Sequence, residues 1–208
     1  MMQGLVMVSR KTAWLKTSGI CGILTPIIAF TCIFLAISYS PSFSWTQNAL
    51  SDLGIQSGIT APLFNYGLIS GGIIALIFAS GLFSFLGDKP LGKVGATVFT
   101  LAAVALTAIG VFPENIEPTH FYVSVAFFML FLIAMLLVVA ALLLADRKQL
   151  GWFTFVVAMI AVVPWVLQFT VPYVEGVAIP EAISAVSASM WAIVLGYKMI
   201  VQSSRSNK

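Results

Sequence analysis

The chain has 208 residues, 60% of them hydrophobic and 8% charged, with a formal net charge of +3. Soluble domains carry about 25% charged residues, and no folded surface can hide this much apolar area from water, so lipid is the expected solvent. The basic residues are scattered, without a dense run, and nucleic acid is not an expected partner.

Six apolar runs reach the roughly 20 residues needed to cross a bilayer. They fall near 18–39, 62–86, 92–111, 119–144, 151–173 and 180–200. The expected fold is all-α, one six-helix transmembrane domain over residues 1–208. The first run is too long for the apolar part of a cleaved signal peptide and reads as a retained helix. It contains both cysteines, Cys21 and Cys32, separated by about 16 Å of helix rise, too far for a disulfide. The longest connection, about 40–61, could hold a short interfacial helix over Trp45–Leu53, stopped by Gly54 in a left-handed conformation. Gly67 and Gly71 in the second run, and Ser184, Ser187, Ala188 and Ala192 in the sixth, are spaced for close helix packing. Packing within one bundle is the plain reading; a homo-oligomer through these faces is the alternative. Pro62, Pro118 and Pro180 suit helix starts, with Thr60 as a cap for the second helix. Pro26 and Pro164 fall inside helices.

The loops set the orientation. Arg10, Lys11 and Lys16 precede or open the first helix, and Lys89 and Lys93 lie at the second-to-third turn. Arg147 and Lys148 lie at the fourth-to-fifth turn, and Lys198, Arg205 and Lys208 close the chain. With six helices every Lys and Arg falls on one side, which the positive-inside rule makes cytoplasmic. Both termini are therefore expected in the cytoplasm of a cell-membrane protein. Asp52, Glu114, Glu117, Glu175, Glu181 and the single histidine, His120, fall on the opposite side.

That acidic side holds the candidate chemistry. On a helix, Asn48, Ser51 and Asp52 would share one face at i, i+3 and i+4. Glu114, Glu117 and His120 place two carboxylates and an imidazole within seven residues, a set able to bind a cation or move a proton. Glu175 follows the fifth helix, while Glu181 fits the favourable first turn of the sixth. The three loops belong to one bundle and must converge on its outer face. Asp52, His120 and Glu117 could then hold a divalent metal ion, with Asn48, Glu114 and Glu175 as further ligand-binding groups. A Ser51–His120–Asp52 arrangement can also be written, though without a Gly-x-Ser-x-Gly context. No ionisable side chain lies in the middle of any predicted helix, which disfavours an ion-coupled carrier.

Asn48-Ala-Leu-Ser51-Asp52-Leu-Gly54, Gly110-Val-Phe-Pro113 and His120 together resemble a known family. It is the six-helix prokaryotic membrane family catalogued as domain of unknown function nine-nine-eight, often grouped with the Frag1-like membrane proteins. The resemblance covers nearly the whole chain. It implies a six-helix bundle, and makes Ser51, Asp52 and His120 the positions to carry over, without implying an activity. A looser likeness, to membrane hydrolases with Ser, Asp and His at a lipid-facing zinc site, lacks those enzymes' further histidines. The leading expectation is a polar, metal-capable site on the extracytoplasmic face that binds or acts on a membrane lipid or lipid-linked molecule. The alternatives are a structural or accessory protein, and a small-solute transporter or channel.

Overall fold

The structure, a computed structural model, describes residues 2–205, with side chains from Arg10 onward; Lys208 lies outside the described residues. Six helices follow in order: α1 (Met2–Ser38), α2 (Thr60–Phe85), α3 (Pro90–Val111), α4 (Thr119–Leu144), α5 (Lys148–Thr170) and α6 (Ala178–Arg205). Each is long and apolar enough to cross a membrane. The helices start earlier than expected in α1, α2, α3, α5 and α6, because the flanking polar residues continue the helical turn outside the apolar run.

Each helix packs on its neighbour in sequence, and α6 returns to pack on α1. The bundle is therefore a closed ring. Short connections between successive helices favour this antiparallel neighbour-to-neighbour order. The ring closes where Gly19 of α1 meets Gly196 of α6, and a Cβ on either would collide with the other's carbonyl oxygen. Gly67 and Gly71 of α2 likewise face Cys32 and Ala29 of α1, so this small-residue pair serves packing within the bundle. Both cysteines are free.

At mid-bundle, Trp191 stands among Phe78, Phe99 and Phe131, with ring centroids 5.9, 5.2 and 6.0 Å from its own. Such aromatic contacts add about 0.5–1.5 kcal/mol each beyond burial. A second buried cluster, including Ile33, Leu50, Leu53, Phe64, Leu68 and Ala178, lies nearer the end that carries the α1–α2, α3–α4 and α5–α6 connections. We call this the loop end.

The first connection differs from the expected Trp45–Leu53 helix. The helical segment is a 3-10 turn over Ser51–Ile55, and Trp45–Gln47 form a turn before it. Gly54 lies inside this turn, and its left-handed role is not used. Instead it lets Asn65 of α2 approach, whose Nδ2 donates to the Gly54 carbonyl at 2.9 Å. Nor does Thr60 cap α2; its hydroxyl donates to the Tyr39 carbonyl at 3.3 Å, tying the end of α1 to the start of α2.

Candidate functional site

Leu50 and Leu53 anchor the first connection in the apolar interior at the loop end, with 6% and 0% exposure. The backbone then ties it to the third connection. Gly176 N–H donates to the Thr46 carbonyl at 2.8 Å, while Val177 and Ala178 N–H both donate to the Asn48 carbonyl at 3.1 and 2.9 Å. Only glycine fits at 176, because a Cβ would run into the Asn48 carbonyl. These bonds satisfy N–H groups at the start of α6, which would otherwise lack helical partners.

The clamp fixes the acidic side chains. The Asp52 carboxylate accepts from Asn48 Nδ2 at 2.6 Å and from Ala49 N–H at 3.1 Å. Asn48 Oδ1 in turn accepts from Ser44 N–H at 2.8 Å. The i, i+4 pairing expected of Asn48 and Asp52 is thus present, but on a turn. Glu181, in the first turn of α6, accepts from Leu50 N–H at 2.6 Å. Its carboxylate therefore binds the first connection as well as benefiting from the α6 dipole. Glu114 completes the group from the α3–α4 connection. Burial pushes its pKa up to about 7, helped by a hydrogen bond with Asp52 and by the charges of Asp52 and Glu117. One Glu114 oxygen, Oε2, is buried without a hydrogen-bond partner.

His120 is 6% exposed. Its Nδ1 lies 2.7 Å from the Phe112 carbonyl, which can only accept, so Nδ1 carries a proton. Nε2 then faces the Ser124 hydroxyl at 3.4 Å. The hydroxyl beside His120 is therefore Ser124, one turn along α4. Ser51 is not its partner, and no hydrogen bond joins Asp52 to His120 among the described residues. The Ser51–His120–Asp52 arrangement is not assembled. Among the described residues, no group of three or more His, Cys, Asp and Glu side chains is placed to hold a metal ion, the expected Asp52, His120 and Glu117 set included.

A groove of about 440 Å³ gathers most of these groups. Ser51, Glu114, Glu117, His120, Ser124, Glu181 and Ser184 supply its polar lining. Phe121, Val125, Phe128, Met129 and Leu132 of α4 form one apolar wall, and Ala161, Val162, Trp165 and Phe169 of α5 the other. Trp165 is held by its indole N–H donating to Ser184 Oγ at 2.9 Å, and Ser184 donates onward to the Ala161 carbonyl at 2.7 Å. Phe121, Val125, Met129 and Phe169 are exposed, so the groove opens sideways between α4 and α5. Behind it, a smaller cavity of about 130 Å³ occupies the ring interior, sharing Ser51, Ser124, Phe128, Phe131 and Glu181 with the groove. Glu175 does not join this site. It lines a separate surface pocket with Gln168 and Tyr173, where Gln168 Nε2 donates to the Val174 and Gly176 carbonyls.

Two site residues were not evident as such in the sequence. Glu181 reads as a helix-dipole residue until α6 is known to pack beside α1 under the first connection. Ser124 carries a weak signal: it lies four residues after His120 on one helix face.

A family model described as Protein of unknown function (DUF998) matches residues 23–198. The chain belongs to this family. In this DUF998 chain the matched stretch takes in part or all of every helix and every side chain of the groove. No curated protein and no solved structure matches it.

Proposed function

We propose that this protein binds a membrane amphiphile, with the apolar tail in the α4–α5 groove and the headgroup at the Glu114, Glu117, His120 and Glu181 rim. The observation that supports this is the make-up of the groove: aromatic and aliphatic walls open to the side, ending in carboxylates, hydroxyls and one imidazole. Its volume of about 440 Å³ falls within the range of small-molecule sites, about 300–1,000 Å³. In a membrane the opening would face lipid, and the polar end would lie near headgroup depth. Every Lys and Arg lies towards the other end of the sequence-defined bundle, so this reading puts the carboxylates on the extracytoplasmic side of a cell membrane. Binding is favoured over turnover because His120 faces Ser124 and the Phe112 carbonyl instead of Asp52 or Ser51.

The test is equilibrium binding of a fluorescent single-chain amphiphile to the purified protein in nanodiscs. Val125→Trp fills the groove from an exposed position and should weaken binding about tenfold or more, the effect of losing a well-packed contact. Val94→Trp, on the exposed face of α3, is the control and should leave binding unchanged. Equal binding by both variants would refute the groove as the site.

A further inference from the structure

Resting on the amphiphile-binding reading above, we infer that the headgroup is a cation, an alkylammonium-type amine, and that the groove discriminates against anionic heads. The argument is charge complementarity at a mouth that, among the described residues, is lined by no Lys or Arg. Glu114 and Glu117 of the α3–α4 connection and Glu181 of α6 line it, and Asp52 of the first connection lies against Glu114. Among the described residues both ion pairs, Asp88–Lys93 and Asp146–Lys148, lie at the opposite end of the bundle.

The acceptors at the mouth are not equivalent. Asp52 already receives two hydrogen bonds from Asn48 and Ala49, and Glu181 receives one from Leu50. Among the described residues Glu114 receives none from a backbone or side-chain N–H, and its Oε2 is buried without a partner. A buried acceptor left unmade is costly, and an ammonium N–H would satisfy it with a charge-assisted bond. The groups facing Glu114 are Asp52, Glu117 and Glu181, with His120 on α4 lining the same groove. Burial and the neighbouring Asp52 and Glu117 raise the Glu114 pKa to about 7, so the empty site holds a proton on Glu114 below neutrality. An ammonium entering the mouth takes over that proton's role, and the proton leaves to solvent. Cation binding should therefore strengthen as pH rises through neutrality. An anionic head would meet repulsion from every ionised carboxylate there, and this repulsion grows as Glu114 loses its proton.

The experiment is displacement of the fluorescent amphiphile from protein in nanodiscs. Competitors are alkyl chains of one length bearing a primary ammonium, a hydroxyl or a sulfate. Near pH 8 the ammonium should compete at least about tenfold better than the hydroxyl, and the sulfate worst, since tenfold is a modest return for one charge-assisted bond. The ammonium preference should shrink near pH 5, as Glu114 takes up its proton. Glu114→Gln and Glu181→Gln should each reduce the ratio of ammonium to hydroxyl competition, with an unchanged circular dichroism spectrum verifying the fold. Equal competition by ammonium and sulfate would overturn the cation assignment while leaving groove binding intact. A preference unchanged in Glu114→Gln would do the same. If no amphiphile competes, groove binding itself fails. If ethylamine competes as well as the long-chain amine, the ligand is a soluble amine and not a lipid.

Discussion

The terminal end of the bundle, where α2–α3 and α4–α5 turn, is closed by cations placed on carbonyls. Lys89 Nζ donates to the Leu144 carbonyl at 2.9 Å. Arg147 donates to the Phe85 carbonyl at 3.0 Å and lies 4.0 Å from the Phe85 ring centroid. Helix ends rich in unpaired carbonyls attract cations, so charge and helix dipole act together there. The loop end is built the opposite way. Its carboxylates are held by N–H groups of the first connection, and one of them, Glu114, keeps an oxygen without a donor. An end that satisfies its own polar groups has little left to offer a ligand. An end that leaves an acceptor unpaired beside an apolar groove is suited to receive one.

The sharpest way to break this contrast is at Gly176. Gly176→Ala forces a Cβ into the Asn48 carbonyl and separates the first and third connections. We expect a loss of about 2–3 kcal/mol, as for other overpacking changes, read as a fall in Tm of the solubilised protein. At the terminal end, Arg147→Met removes a charged hydrogen bond and a cation–π contact. It should cost about 2 kcal/mol by the same measurement, with amphiphile binding unchanged.

The Glu114 carboxyl tests the unpaired acceptor directly. Its pKa of about 7 lies above the ordinary carboxylate value, so between those two values the folded protein binds more protons than the unfolded chain. Stability should then fall as pH rises from about 5 to 7 and level off above. With Glu114 partly open to solvent, the fall should be on the order of 1 kcal/mol. Glu114→Gln should make that part of the pH–stability curve less steep. The smallest effect is expected at Lys93→Ala. Its ion pair with Asp88 is exposed on both partners, and such pairs contribute about 0–1 kcal/mol.

Much of this architecture follows from patterns visible in one sequence. Apolar run lengths give the six helices, and Asn48 and Asp52 pair at the spacing that their separation allows. The expected interfacial α-helix is replaced by a 3-10 turn, which buries Leu53 and is tied to α2 by the Asn65–Gly54 bond, a tertiary contact that local sequence does not show. The neighbour order in the ring is a matter of tertiary packing, which periodicity within single helices does not carry. For that reason Glu181 reads as a local dipole residue and Glu175 as a partner of the other acids, and Ser124 is marked only by its spacing from His120. Only the closed ring brings Glu181 under Leu50 and leaves Glu175 in a pocket of its own.

The meeting of Gly19 with Gly196 has a consequence for how the protein is made. Synthesis delivers α1 first and α6 last, yet these two helices form the seam of the ring. Until α6 arrives, α1 and α5 flank an open gap, and the Glu181 carboxylate is missing from the mouth. The final helix thus both closes the wall and brings the Glu181 carboxylate to the groove. A chain ending before α6 would be an open five-helix arc, its Trp165 without Ser184 and its first connection without the clamp that α6 provides.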